Sequence, residues 1–158
     1  MPTPQFILDL RAKIGHDMLW LPGVTAVVFD DDRRVLLVKR ADNGRWALVT
    51  GILEPGEQPA VGALREVEEE TGVIAEADRL LSVTALPLVE YYNGDRTRYL
   101  DVTFRCRAVG GEARVNDDES VDVGWFALDD LPALPERHTA CINDALTSEA
   151  TPARFALS

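Results

Sequence analysis

Residues 51–73 read GILEPGEQPAVGALREVEEETGV, and the order of residues in this stretch decides the fold. Pro55-Gly56 is a turn pair, Pro59 suits the first position of a helix, and Gly72 suits its left-handed end. The helix so bounded carries two faces. Ala60, Leu64, Val67 and Thr71 fall within ~60° of one another at about 100° per residue, a stripe that packs on a core. Glu66, Glu69 and Glu70 gather on a different face, centred ~135° away by the same geometry.

Three carboxylates on one helical face repel one another, at roughly 0.2–0.5 kcal/mol for each pair. A hard divalent cation reverses that sign: Mg²⁺, or Mn²⁺ in its place, takes oxygen ligands from few carboxylates and completes its shell with water and substrate phosphates. The plain alternative is a solvated acidic face, which is the ordinary explanation of three glutamates taken alone. Spacing separates the two. From Gly51, five residues lead to Glu57 and seven more lead to Arg65-Glu66, followed by Val67, Glu69-Glu70, Gly72 and Val73.

This pattern resembles the Nudix box at every defining position, and the resemblance extends on both sides. Leu36 to Arg40, followed by Asn43-Gly44-Arg45-Trp46, resembles the family's opening hairpin strand, loop and tryptophan strand. Glu119, Val123-Gly124-Trp125-Phe126 and Leu131-Pro132 resemble its closing strand and turn, so residues 22–135 are covered. The resemblance implies an α+β domain, an α/β/α sandwich around a mixed sheet. It implies Glu66, Glu69 and Glu70 as metal ligands, and Glu66 or Glu119 as the base that activates water. Arg65 stays cationic and is no ligand; it orients carboxylates, with Glu57 as its partner. One departure is Thr50, which stands where many relatives have the first glycine of a Gly-Gly pair. In some relatives the carbonyl at that place binds metal, and Thr50 still offers one from a more restricted backbone.

The activity so implied is Mg²⁺-dependent hydrolysis of the pyrophosphate in a nucleoside diphosphate linked to a second group. ADP-ribose or another nucleotide sugar competes with an oxidised nucleoside triphosphate as the substrate. Pro87 and Tyr91 lie near places that point to different substrate classes in this family, so neither is diagnostic. Arg40, Trp46, Tyr91 and Tyr92 offer charge and stacking surface for a nucleotide. The second reading is a catalytically silent Nudix-fold sensor that binds a nucleotide and regulates a partner. The intact set Glu57, Arg65, Glu66, Glu69 and Glu70 disfavours it.

Bulk properties agree with a metal-assisted site. The 158 residues fit one domain, and 46% apolar with 27% charged content is ordinary for a globular chain. A net charge of −11 argues against nucleic acid or an anionic membrane as a partner, and a phosphate-bearing small molecule needs a cation to approach. Cys106 and Cys141 lack metal-ligand or redox spacing, and His16 and His138 are isolated. The amino terminus lacks a charged region followed by an apolar run, and a cytoplasmic location is expected.

Residues 1–21 are expected as an amino-terminal helix, residues 22–148 as the hydrolase domain and residues 149–158 as a fraying tail. Thr3 caps the helix, Pro4 opens it, and Leu21-Pro22-Gly23 ends it. Its stripe of Phe6, Leu10, Ile14 and Met18 covers the sheet or joins a second copy in a homodimer. Val24–Phe29 and Val35–Val38 are expected as a hairpin, Trp46–Val49 and Leu80–Leu88 as strands. Asn93-Gly94 marks a hairpin turn before a strand from Thr97 to Ala108. Val121–Leu128 is a further strand, and Pro135 opens a last helix to Leu146.

Overall fold

The structure is a computed structural model that describes residues 3–158, so residues 1 and 2 of the expected amino-terminal helix lie outside the described residues. In chain order the elements are α1 (Gln5–Ile14), β1 (Leu19–Phe29), β2 (Val35–Arg40), β3 (Trp46–Ala47), β4 (Val49–Ile52) and α2 (Pro59–Thr71). Then follow β5 (Val73–Ala85), β6 (Val89–Glu90), β7 (Arg96–Gly111), β8 (Ser120–Phe126) and α3 (Glu136–Ala145).

Strand β1 is the spine of one mixed sheet. It pairs in parallel with β7 along its whole length, from Leu19 opposite Thr97 to Phe29 opposite Arg107. Its other edge is divided between two strands. Gly23 to Ala26 pair antiparallel with β4, and Phe29 meets Val35 of β2. Strand β5 lies antiparallel on β7, and β8 lies antiparallel on β2. Residues 24–29 and 35–38 are almost continuously apolar because both faces of the sheet are covered. Ala26, Val28, Leu36, Val38 and Val49 pack with Val67 of α2. Val27, Val35, Leu37 and Leu48 turn the other way, onto Cys141, Ile142 and Ala145 of α3. Each such fully buried valine or leucine contributes about 1.5–3 kcal/mol. The result is the expected α/β/α sandwich.

The expected strand from Trp46 to Val49 is broken at Leu48, where the chain leaves β2 for β1. That change of partner leaves the Leu48 N–H without a ladder acceptor, and His138 Nδ1 accepts it at 3.1 Å. Burial, with Arg137 and Arg40 nearby, pushes the His138 pKa down to about 4, so the ring is neutral and keeps that lone pair.

Several expected boundaries move. Helix α1 begins at Gln5 with Pro4 as its cap and stops at Ile14, where Gly15 takes φ 60° and donates to the Arg11 carbonyl at 2.8 Å. Met18 and Leu21-Pro22-Gly23 are therefore not its end. Residues 19–23 open β1 because β7 offers them backbone partners. The hairpin of β1 and β2 pairs only beside its turn, since β4 takes residues 23–26 of that edge. Strand β5 starts at Val73, directly after α2, because β7 pairs with it from Gly111 back to Leu100. The tail is pinned at Arg154, whose N–H and carbonyl bond Leu81 and Val83 on the β5 edge. Both cysteines are free and buried, and burial pushes the Cys106 thiol up to about 12. No helix among the described residues is long and apolar enough to cross a membrane.

Candidate active site

Gln58 is the extended cap of α2, Pro59 opens it, and Gly72 closes it with φ 71° while donating to the Glu68 carbonyl at 2.9 Å. The loop before it folds on itself: the Glu57 N–H donates to the Glu54 carbonyl, and the Glu57 carboxylate accepts the Glu54 N–H, both at 3.0 Å. Glu57 thereby faces the helix, within reach of Arg65.

Arg65 is the hub. Its Nε and Nη2 hold the two oxygens of Glu57 at 2.8 and 3.0 Å, a bidentate pair. Its Nη1 reaches Glu66 Oε1 at 2.9 Å and Glu69 Oε2 at 3.0 Å, and Nη2 also donates to the Ile52 carbonyl at 3.3 Å. The guanidinium holds Glu57 below the usual carboxylate range.

The carboxylate face is not a solvated one. Glu66 is 2% exposed and Glu70 4%, so the buried side of α2 spans Glu66, Val67, Glu70 and Thr71 and is wider than the stripe expected. Ala60 and Leu64 are only half-buried, and Glu69 stays at the rim. Glu66 lies flat against Gly51 of β4, where a β-carbon would collide with its carboxyl group. Burial pushes Glu66 up to about 7 against the pull of Arg65, with Glu69 and Glu119 adding repulsion. Burial, then the charges of Glu119, Glu66 and Asp117, push Glu70 up to about 8.

Buried hard oxygen donors that repel one another as anions suit a divalent cation, which removes both penalties at once. Among the described residues no three acidic, histidine or cysteine side chains form a preformed metal cage. Thr50 is half-buried in β4 opposite Thr25, one residue before Gly51.

The other expected residues are placed unevenly. Glu119 is tied to the end of β2, its carbonyl accepting the Ala41 N–H at 2.8 Å, and its charge acts on Glu66 and Glu70. Arg40 lies on the same side, within the field of Glu119 and Glu70, and grips Asp42 at 2.9 and 2.6 Å. Trp46 packs edge-on against Phe126, centroids 4.8 Å apart, in the α3-side core. Tyr91 and Tyr92 sit in the turn between β6 and β7, with the Tyr91 hydroxyl 2.7 Å from that of Tyr99 and Tyr92 fully exposed. That turn lies near Leu19 and Thr97, whereas Gly51 pairs with Val24, about 16 Å further along β1 at roughly 3.3 Å per residue.

Two groups escaped the sequence reading. Asn116 donates from Nδ2 to the Glu68 and Glu69 carbonyls at 3.1 and 3.0 Å; a lone asparagine before two aspartates gave little sign of it. On the α3 face, buried Asp101 accepts from Thr25 at 2.9 Å, Thr103 at 2.8 Å and Arg137 at 3.2 Å. Arg137, with Cys141 and Ser82, lines a cavity of about 340 Å³ beside this network. Alternation around Asp101 suggests an outward polar residue, but β7 is an inner strand covered on both faces.

Comparison with known proteins agrees with this geometry. Residues 19–145 match the NUDIX domain model. The chain is 39% identical over 125 residues to a MutT-like protein of Streptomyces ambofaciens, covering 78% of this chain and 75% of that one. It is 33% identical over 131 residues to the ADP-ribose pyrophosphatase of Methanocaldococcus jannaschii, covering 80% and 75%. The crystal structure of an ADP-ribose pyrophosphatase from Streptococcus suis superposes with a TM-score of 0.67 at 29% identity, covering 86% of this chain and 98% of that one. The chain belongs to the Nudix family and is a hydrolase of pyrophosphate bonds.

Proposed function

We propose that the protein hydrolyses, with Mg²⁺ or Mn²⁺, the pyrophosphate of a nucleoside diphosphate linked to a second group, with ADP-ribose or a related nucleotide sugar as the first substrate to test. One observation carries the reading: Glu66 and Glu70 are buried side by side with Glu119 and Asp117 in electrostatic reach, while Arg65 locks Glu57, Glu66 and Glu69. The similarity to two ADP-ribose pyrophosphatases supports the nucleotide-sugar reading, and that to a putative 8-oxo-dGTP diphosphatase of Bacillus subtilis keeps the oxidised nucleoside triphosphate beside it.

Glu66, Glu69 and Glu70 would hold a divalent cation, which would supply charge neutralisation for the diphosphate and a more acidic water. The chain's own work is placement. Arg65 fixes the direction of Glu66 and Glu69 before substrate arrives, so little reorganisation is left for the reaction itself. The water loses its proton to Glu66 or Glu119, the two carboxylates assigned to that task. Arg40 stands on the same side with a permanent positive charge for a phosphate oxygen, once Asp42 yields it.

A phosphate-release screen over ADP-ribose, UDP-sugars, dinucleoside polyphosphates and oxidised nucleoside triphosphates, with and without Mg²⁺, tests this reading. Turnover of a nucleotide sugar that stops on metal removal is expected. Tight nucleotide binding without turnover of any of them would replace the enzyme with the silent sensor. Glu66→Gln and Glu119→Gln then separate the two proton acceptors, since loss of the true base removes the acidic limb of the kcat profile.

A further inference from the structure

The carboxyl end of α2 leaves the carbonyls of residues 68–71 in need of donors. One loop supplies nearly all of them. Gly72 donates to Glu68, but Asn116 Nδ2 reaches both Glu68 and Glu69, the Asn116 N–H reaches Glu70 at 3.2 Å, and the Arg114 N–H reaches Thr71 at 2.9 Å. The next residues are Asp117, Asp118 and Glu119, and the last is fastened to the far side by the Ala41 N–H. Between those fastenings, the Glu119 N–H bonds Asp117 Oδ1 at 3.1 Å, which closes the loop on itself.

We infer that Asn116 is a positioning residue, holding the 117–119 acidic loop against the carboxylate face of α2 and so setting the place of Glu119. The reason is electrostatic. Negative charge on this loop is repelled by Glu66 and Glu70, and a loop free to move would swing outward. The two carboxamide bonds to α2 oppose that motion, and they do so from the same turn that carries Glu69 and Glu70. The loop and the helix therefore present their carboxylates as one unit.

This inference rests on the cation site proposed above, and binding of Mn²⁺ to the metal-free full chain, read by electron paramagnetic resonance without substrate, tests it apart from activity. Asn116→Ala is expected to weaken Mn²⁺ binding by roughly tenfold with the circular dichroism spectrum unchanged. Glu119→Gln should weaken binding in the wild-type background and add little in the Asn116→Ala background, because the loop has already moved. Additive losses, or wild-type Mn²⁺ affinity in Asn116→Ala, would overturn the role of Asn116 and leave the cation site standing. A wild-type chain that binds no Mn²⁺ would instead sink the cation site itself. If Asn116→Ala does not fold, Asn116→Ser, which keeps one donor, carries the same comparison.

Discussion

The carboxyl group of Glu66 occupies the space that a β-carbon on Gly51 would need. A strand residue and a helix residue, fifteen positions apart in the chain, share one volume, and the glycine is the condition for it. Gly51→Ala must push Glu66 aside or separate α2 from β4. Overpacking of this kind costs about 1–3 kcal/mol, and a displacement of about an ångström costs roughly 100-fold in kcat. Urea denaturation and steady-state kinetics read the two effects separately. A Gly51→Ala enzyme with wild-type kcat would show that Glu66 does not need this place.

Glu66 and Glu70 also give the metal-free protein a pH dependence of defined sign. Their native values, about 7 and about 8, lie above the ordinary 4.5. The native state therefore binds more protons than the unfolded state between those values, and these two groups lower stability as pH rises from about 5 to about 8. The melting temperature of Glu70→Gln, subtracted from that of the wild type without metal, should trace this fall. Mg²⁺ should flatten it and release protons on binding, seen as buffer-dependent heats in calorimetry. A wild-type curve parallel to that of Glu70→Gln would refute the burial of an ionisable pair.

Arg65→Lys keeps the charge and loses the fork. A lysine cannot hold both oxygens of Glu57 while reaching Glu66 and Glu69, all of which Arg65 does in the structure. Its kcat should fall by about 10- to 100-fold with KM little changed, because the carboxylates lose direction and the substrate contacts remain. Equal kcat for the two enzymes would make Arg65 a mere counter-charge.

His138 works by staying neutral. Its folded pKa, about 4, lies below the ordinary 6.5, so its contribution to stability is complete above pH 6.5 and is lost as pH falls towards 4. His138→Leu leaves the Leu48 N–H buried without an acceptor, at about 1–3 kcal/mol. Chemical denaturation at pH 7.5 measures that cost. The same variant should show a weaker loss of stability between pH 6.5 and 4.5 than the wild type.

The box was legible because its chemistry is local. Gly51, Glu57, Arg65, Glu66, Glu69, Glu70 and Gly72 lie within one loop and one helix, where a spacing in sequence is a spacing in space. The sandwich was legible through the apolar runs of β1 and β2 and the turns at Pro55-Gly56 and Asn93-Gly94. What was hidden depends on partners distant in the chain. Leu21-Pro22-Gly23 has the composition of a helix end, and only β7 makes it a strand. Glu66 and Glu70 lie on the polar side of a helical wheel, yet both are buried, Glu66 against Gly51 of β4. Trp46 has the character of a stacking residue, and its edge-on contact with Phe126 is a partner that the sequence did not show.

The pairing of β1 with β7 has a consequence for the order of events during synthesis. Leu19 must wait for Thr97, and Phe29 for Arg107, so the spine of the sheet has no parallel neighbour until residues 97–107 have left the ribosome. The acidic helix emerges well before that neighbour does. A nascent chain thus carries the chemical groups of the site long before it carries the site, and it becomes an enzyme only after β7 has followed them out.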